Sequence, residues 1–384
     1  MTVGTARSPR AGARVLLAAA PLFLAFLSAP ASAEQTRHYV MSKFWHAANN
    51  AADDCPGGIN PKYPELVPIN LANLGYSARE IAAILERDAA RDDSGGWETD
   101  ELTQILFYRA RINGKPANAY MHPLAVKDPG LKPWGGKMAY GFDLDGKGET
   151  KTSFTDPEAG IKGVDHELAR VYGCNDQFRA RLRDGSAAGL FFWMAIKDAA
   201  PAWTISVTGE DLDKDGPVTI KFSRALEPIR YNGNGTARAD MSYRADPDPR
   251  TASNIYAGEI KDGVISVTKP GPFFMVQEPL LFPVFSMHQF QARMKMTSSG
   301  VLEVLIGGYQ PIDEIYHFCG SANMEAEKNF CAEPPGIYHL LSRLADYDKD
   351  PATGRNRAIS STYYLEAVPA FLEPAAGASA GGNQ

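Results

Sequence analysis

Hydrophobic residues in the first half of the chain recur with helical spacing, separated by long irregular stretches. Ser77 and Glu80 have the spacing of a capping box, and Ile81, Ile84 and Leu85 then fall on one helical face. Similar spacing predicts further helices at 99–110, 163–172, 178–182 and 188–197, the last of them apolar on nearly every side. The segment 34–200 is therefore expected to be helical and loop-rich.

The hydrophobic period changes from helical to alternating at Trp203. Strict alternation over 203–207 and 218–222 predicts two half-buried strands. A hairpin is predicted from 256–260 and 264–267, because Asp262-Gly263 between them suits a type I′ turn. A second hairpin is predicted from 290–296 and 301–306, and a helix at 335–345 and a strand at 363–368 follow.

These elements together predict an α+β fold, with a helical and irregular N-terminal region followed by an antiparallel β-sandwich or jelly-roll-like domain. The expected organisation is a signal peptide at 1–33, the helical and loop-rich region at 34–200 and the sandwich at 201–310. A C-terminal disulfide loop, helix and return strand are expected at 311–372, and a disordered tail at 373–384.

The first residues have the order of a secretory signal peptide. Arg7, Arg10 and Arg14 precede an apolar run at 15–27, and the small-residue motif at 31–33 then predicts cleavage before Glu34. The alternative is an uncleaved membrane anchor, although the run is too short to span a bilayer as a helix. No later stretch is apolar enough to cross a membrane. The mature chain is therefore expected to be soluble, without stable membrane insertion, in the periplasm or secreted.

Charge and cysteine content narrow the class of protein further. The formal net charge is −6, and cleavage of the signal peptide would make it more negative by removing three arginines. The sequence therefore offers no electrostatic case for nucleic acid binding. Its four cysteines suggest two disulfides in an exported chain, and we predict the pairs Cys55–Cys174 and Cys319–Cys331. Metal ligation by cysteine is the alternative, but no C-x-x-C spacing occurs.

The most specific local motif is an acidic loop at 211–216. Asp211, Asp213 and Asp215 alternate along the chain before Gly216, which resembles the first half of the calcium loops of EF-hand and dockerin-like proteins. Phe222 stands where an EF-hand has its bidentate glutamate, and the loop lies between predicted strands. The alternatives are therefore a calcium site on a β-turn and a solvated acidic turn.

A second acidic loop has a similar order of carboxylates. Asp143, Asp145 and Glu149 surround two glycines, so this loop is also a candidate calcium site. Asp165-His166-Glu167 is a further group of ionisable residues that could belong to a site, but we interpret it as part of a solvated helix face. Haem, nucleotide and flavin are not expected, because the sequence has no C-x-x-C-H motif and no glycine-rich phosphate-binding loop.

No motif identifies a reaction. The sequence contains no H-E-x-x-H zinc motif, and the catalytic residues are unknown. Trp97 and Trp134 lie in glycine-rich surroundings and are candidate ligand-binding aromatics, although both could instead cover the core. The sequence favours an exported binding or accessory protein with an unidentified ligand or envelope partner. The alternative is a periplasmic hydrolase or lyase acting on a glycan or polymer, which would bring residues such as His122, His166, Asp313 and His317 together.

Overall fold

The fold is described from a computed structural model. It describes residues 34–50, 54–91, 101–108, 110–119, 121–198, 200–252, 254–276, 284–320 and 334–374. The predicted signal peptide, Trp97, Cys331 and most of the predicted tail lie outside these ranges. None of the described helices has the length and apolarity needed to cross a membrane.

The strands, numbered in chain order, extend through the whole described part of the chain. They are β1 (Gln35–His46), β2 (Ala110–Ile112), β3 (Lys115–Ala117), β4 (Phe154–Thr155), β5 (Lys162–Val164), β6 (Trp203–Gly209), β7 (Gly216–Arg224), β8 (Met241–Arg244), β9 (Ile255–Lys261), β10 (Val264–Val267), β11 (Gly271–Val276), β12 (Val284–Met296), β13 (Leu302–Pro311), β14 (Tyr347–Lys349) and β15 (Asn356–Glu373).

The helices are shorter and lie between or outside the strands. They are α1 (Tyr63–Asn73), α2 (Ala78–Ala89), α3 (Glu101–Thr103), α4 (Glu167–Tyr172), α5 (Ala187–Lys197), α6 (Pro249–Ala252), α7 (Ile312–Gly320) and α8 (Pro334–Leu344). A π-helical segment, Gln104–Tyr108, continues α3, and 3₁₀ turns occur at Pro123–Ala125 and Asp176–Phe178.

Eight strands form a closed antiparallel β-barrel in the order β1-β6-β7-β9-β10-β12-β13-β15. The barrel closes where β1 pairs with β15, with a register that extends from His38 opposite Ala370 to His46 opposite Tyr363. The predicted sandwich or jelly roll is therefore wrong, and the fold is mostly β. Strands of the barrel come from both sides of the boundaries predicted near 200 and 310.

The sandwich prediction is wrong because it omitted β1. Most residues of β1 and β15 from the middle of each strand are buried on both faces, so they lack the alternation that reveals a half-buried strand. One face of each strand contributes to the barrel interior, while α5 packs against β1 and α4, α7 and α8 pack against β15. Without its closing strand, the remaining alternating segments look like an open sheet.

Aromatic side chains fill the barrel interior. Phe44 of β1 lies 5.6 Å from Phe285 of β12, and Phe222 of β7 lies 5.3 Å from Phe290 of β12. Because these strands are not neighbours in the barrel, the rings must meet across the lumen. An eight-stranded barrel is narrow enough to be filled by side chains. The interior is a packed core, and a ligand site has to be sought outside it.

Several predicted local elements are confirmed. Ser77 caps α2, accepting a hydrogen bond from Glu80 N while the Glu80 side chain reaches back to Ser77 N. Asp262 and Gly263 both have positive φ, as a type I′ turn requires, and join β9 to β10. Three predicted helices differ from the observed elements. The range 99–110 contains α3 and the π-helical segment, the helix predicted at 163–172 begins only at Glu167 as α4, and a 3₁₀ turn at Asp176–Phe178 stands near the helix predicted at 178–182.

Candidate functional site in an acidic cleft

A cleft of about 910 Å³ lies on the outside of the barrel. Its walls come from the loop at 144–153, the segment that enters α4, the end of β13 and the end of α8. Four carboxylates line it, and they are Asp145, Asp165, Glu167 and Asp346. The cleft thus combines three distant parts of the sequence into one concave, acidic surface.

Asp165 organises the acidic loop that forms one wall. Its Oδ2 accepts hydrogen bonds from Leu144 N at 2.8 Å and Asp145 N at 3.1 Å. The loop can lie against β5 because position 163 is a glycine. A Cβ at Gly163 would lie 2.5 Å from the backbone carbon of Gly148, too close for any other residue. Asp165 therefore replaces Glu149 as the third carboxylate of this loop.

Asp143, Asp145 and Asp165 form a group that could hold a metal ion. One carboxylate oxygen from each lies within 4.8 Å of the others. Asp143 Oδ2 accepts from Gly148 N at 3.0 Å, whereas its Oδ1 is buried without a hydrogen-bond partner. Hard oxygen ligands of this kind suit calcium. Glu149 lies apart from this group, paired with Lys162 at 2.9 Å.

The other predicted calcium loop has a different arrangement. It forms the turn between β6 and β7, and its three carboxylates serve separate partners. Asp211 pairs with Lys214 at 2.6 Å, Asp213 pairs with Arg37 at 2.8 Å, and Asp215 accepts the Asp262 N–H at 2.9 Å. Across the described residues, only the Asp143 group brings three potential ligand atoms together.

Asp346 lies on the opposite side of the cleft, between α8 and β14. Its Oδ1 accepts the Ser360 N–H at 2.8 Å, and Ser360 Oγ in turn accepts the Glu167 N–H at 2.8 Å. Asp346 faces water in the cleft, but protein surrounds its other sides. This loss of hydration, with the nearby charges of Glu167 and Asp165, raises the pKa of Asp346 to about 7.

The pKa values of the two neighbouring carboxyls are also raised. Burial is the main cause for Asp165, and the hydrogen bonds from Leu144 N and Asp145 N oppose it. Burial likewise raises the pKa of Glu167, although Arg170 at 3.1 Å favours its charged form. Carboxyls with raised pKa values that share a cleft are a recognised indicator of a functional site.

The positive side chains that line the cleft are bound to other groups. Lys147 pairs with Asp145 at 2.7 Å, Arg170 pairs with Glu167, and Arg343 pairs with Asp128. Among the residues that the structure describes, none forms an ion pair with Asp165 or Asp346. Lys147 interacts electrostatically with both carboxylates, but its ammonium group is bound to Asp145.

An aromatic pair forms the floor of the cleft. The ring of Tyr309, which is 4 % exposed, stacks on Tyr347 with centroids 4.2 Å apart. Burial raises the pKa of Tyr309, and the charges of Asp165 and Asp346 add to this effect. Gln289, which also lines the cleft, adopts a positive φ beside an irregularity in the β12–β13 pairing.

The predicted Cys55–Cys174 disulfide is present, with a Cα–Cα distance of 5.7 Å. Trp134 packs in the same cluster as Cys174, stacks on Phe154 and is only 2 % exposed. Its position is therefore that of a core residue beside the disulfide. Trp97 and the Cys319–Cys331 pair cannot be placed, because Trp97, Cys331 and the Cys319 side chain lie outside the described residues.

The histidines considered from the sequence do not converge with a carboxylate in the cleft. His166 is 1 % exposed and its Nε2 lies 3.3 Å from Ala47 O. His122 is exposed, and Asp313 accepts a hydrogen bond from the Tyr338 hydroxyl. The interpretation of 165–167 as a solvated helix face missed the contribution of Asp165 and Glu167 to the cleft, because α4 begins only at Glu167.

No family model, no curated protein and no solved structure matches this chain.

Proposed function

We propose that this protein is an exported binding protein that holds a hydroxyl-rich ligand, such as a segment of a glycan, in the acidic cleft. One observation carries the proposal: a cleft of about 910 Å³ places carboxylates without ion-pair partners around a stacked tyrosine pair. Concave sites that combine aromatic surface with a few polar groups are typical ligand sites.

The chemistry of the lining fits such a ligand. Tyr347 is partly exposed and offers ring surface to the apolar face of a sugar. Carboxylates accept hydrogen bonds from ligand hydroxyls, and hydroxyl and amide groups of the cleft can both donate and accept. Those groups are provided by Thr150, Thr152, Ser153 and Gln289.

Calcium is the second component of the proposal. The Asp143, Asp145 and Asp165 carboxylates would hold the ion and so stabilise the loop that forms one wall of the cleft. The expected location, periplasmic or secreted, supports this component, because weak calcium sites fill at extracellular calcium concentrations. The Cys55–Cys174 disulfide is compatible with an oxidising compartment.

The test is a glycan-array screen of the mature chain, with and without calcium, followed by calorimetry on the hits. Tyr347→Ala removes the exposed ring and should weaken binding about tenfold or more. Asp211→Asn is the matched surface control, because Asp211 lies in the β6–β7 turn away from the cleft, and it should bind like the wild type. Absence of any glycan hit in both calcium conditions would contradict the proposal.

The alternative function, hydrolysis or elimination on a glycan, is favoured by Asp346. A carboxyl with a pKa of about 7 beside Asp165 and Glu167 could exchange a proton with a substrate at neutral pH. The enzyme proposal predicts that the wild type shortens a bound oligosaccharide, detected by mass spectrometry. Asp346→Asn should then retain binding of a neutral oligosaccharide but lose turnover at least 100-fold.

A further inference from the structure

We propose that the cleft selects ligands that carry a primary ammonium group, which lies between the Asp346 carboxylate and the Tyr309 hydroxyl. This inference rests on the proposed binding function, because it specifies the chemistry of the ligand in the same cleft. It depends on the distribution of charge and on one hydroxyl without a hydrogen-bond partner among the described residues, and each of these is an independent observation.

The charge distribution leaves a place for one cation. Each cation that lines the cleft has its own carboxylate partner: Lys147 pairs with Asp145, Arg170 with Glu167 and Arg343 with Asp128. Asp346 forms no ion pair among the described residues, although Ser360 N fixes one of its oxygens at 2.8 Å. Lys147 interacts with Asp346 electrostatically, but its ammonium group is held by Asp145. A positioned carboxylate without a counter-charge, open to a cleft, favours a ligand that brings the counter-charge with it.

The Tyr309 hydroxyl supplies the second contact. Tyr309 is 4 % exposed and stacked on Tyr347, yet in the described part of the chain no group forms a hydrogen bond with its hydroxyl. The side chain lines the cleft, and Asp346 and Asp165 lie close enough to interact electrostatically with it. A hydroxyl that has no protein partner on a side chain lining the cleft can accept a hydrogen bond from a ligand donor.

An ammonium group fits these two acceptors better than a metal ion does. Asp346 does not belong to the Asp143 group, the one described set of three carboxylates close enough to share an ion. Calcium requires six or more oxygen ligands, whereas an ammonium group has three N–H donors and is satisfied by two or three acceptors. A neutral hydroxyl would hydrogen-bond to Asp346 but would leave its charge uncompensated.

Two sources supply this chemistry: an amino sugar within a glycan, and a free polyamine. Calorimetry on the mature chain should therefore compare glucosamine oligosaccharides with their N-acetylated counterparts, and spermidine and putrescine with 1,4-butanediol. N-acetylation removes the charge and keeps the sugar ring. We expect the charged member of each bound pair to bind at least tenfold more tightly than the neutral one.

The variants identify the site. Asp346→Asn keeps an oxygen for the Ser360 N–H and should lose at least tenfold in affinity for the charged ligand. Tyr309→Phe keeps the ring stack and removes only the hydroxyl, with an expected loss of three- to tenfold. Asp211→Asn should change nothing. Thermal unfolding of each variant establishes that it is folded before affinities are compared.

The outcomes separate the inference from the proposed function. Equal affinity for glucosamine oligosaccharides and their N-acetylated forms overturns the ammonium inference but leaves glycan binding intact. Polyamine binding without any oligosaccharide binding supports the inference and overturns the glycan proposal. The assigned site is overturned if both folded variants, Asp346→Asn and Tyr309→Phe, keep the full preference for the charged ligand. Absence of binding by every ligand tested overturns both proposals.

Discussion

Replacement of Asp346 by asparagine should stabilise the protein in a pH-dependent manner. The folded state raises the pKa of this carboxyl from 3.8 to about 7, so between these values the folded protein binds a proton that the unfolded chain has released. The contribution of Asp346 to stability is therefore fully present below pH 3.8 and is lost as the pH rises through 7. The asparagine side chain is neutral in both states, and it keeps an oxygen for Ser360 N.

The magnitude follows from the size of the shift and from the exposure of the side chain. A pKa unit corresponds to about 1.4 kcal/mol, so the full shift would give an upper limit of about 4 kcal/mol above pH 7. Asp346 faces water in the cleft, which screens its charge, and we therefore expect Asp346→Asn to stabilise by about 1–2 kcal/mol at pH 8. Near pH 4 the same substitution should have almost no effect.

The assay is urea unfolding of the wild type and the variant at pH 4.5, 6 and 8, with the difference in unfolding free energy plotted against pH. Asp348→Asn is the matched control, because Asp348 lies two residues away and forms a partly exposed ion pair with Arg357. It should change stability by no more than about 0.5 kcal/mol. A difference for Asp346→Asn that is the same at pH 4.5 and pH 8 would refute the electrostatic reasoning.

Three further predictions concern other parts of the structure. Burial lowers the pKa of His166 from 6.5 to about 4, so its contribution to stability is full above pH 6.5 and is lost as the pH falls. Between pH 7 and pH 5 the unfolding free energy of the wild type should therefore fall by about 2 kcal/mol relative to that of His166→Gln. Parallel curves of unfolding free energy against pH would contradict this. Millimolar calcium should raise the melting temperature by several degrees relative to chelator in the wild type but not in Asp143→Asn, and a melting temperature insensitive to calcium would rule the site out. Replacement of Cys55 and Cys174 by serine, which opens a loop with a sequence separation of 119, should cost about 4–5 kcal/mol in urea unfolding, and a loss below 1 kcal/mol would show that the bond is dispensable.

The hairpins were predictable from sequence because their signals are local. Asp262-Gly263 specifies a type I′ turn, and the strands on either side, β9 and β10, form as expected. Ser77 and Glu80 similarly specify the start of α2 through hydrogen bonds between residues three positions apart. Such elements depend on a few neighbouring residues, so no knowledge of tertiary contacts is needed to recognise them.

Barrel closure was not predictable in the same way, because it depends on contacts between the two ends of the described chain. Val40 of β1 pairs with Val368 of β15, more than three hundred positions away. Both strands are covered by helices on the outside and aromatic rings on the inside, and this double burial removes the alternating pattern. The pattern can show that a segment is buried, but its partner strand is decided by the packing of the whole barrel.

The cleft combines both situations, which explains why only two of its five acidic residues, Asp143 and Asp145, were predicted as ligands. Asp143 and Asp145 were found because they alternate before Gly146 within one loop. Asp165 joins them through tertiary contacts: a backbone bridge to Phe142 and hydrogen bonds from the acidic loop to its side chain. Asp346 reaches the site through Ser360 of β15, which pairs with Tyr309 of β13. The barrel therefore acts on the site by bringing the end of α8 opposite the acidic loop.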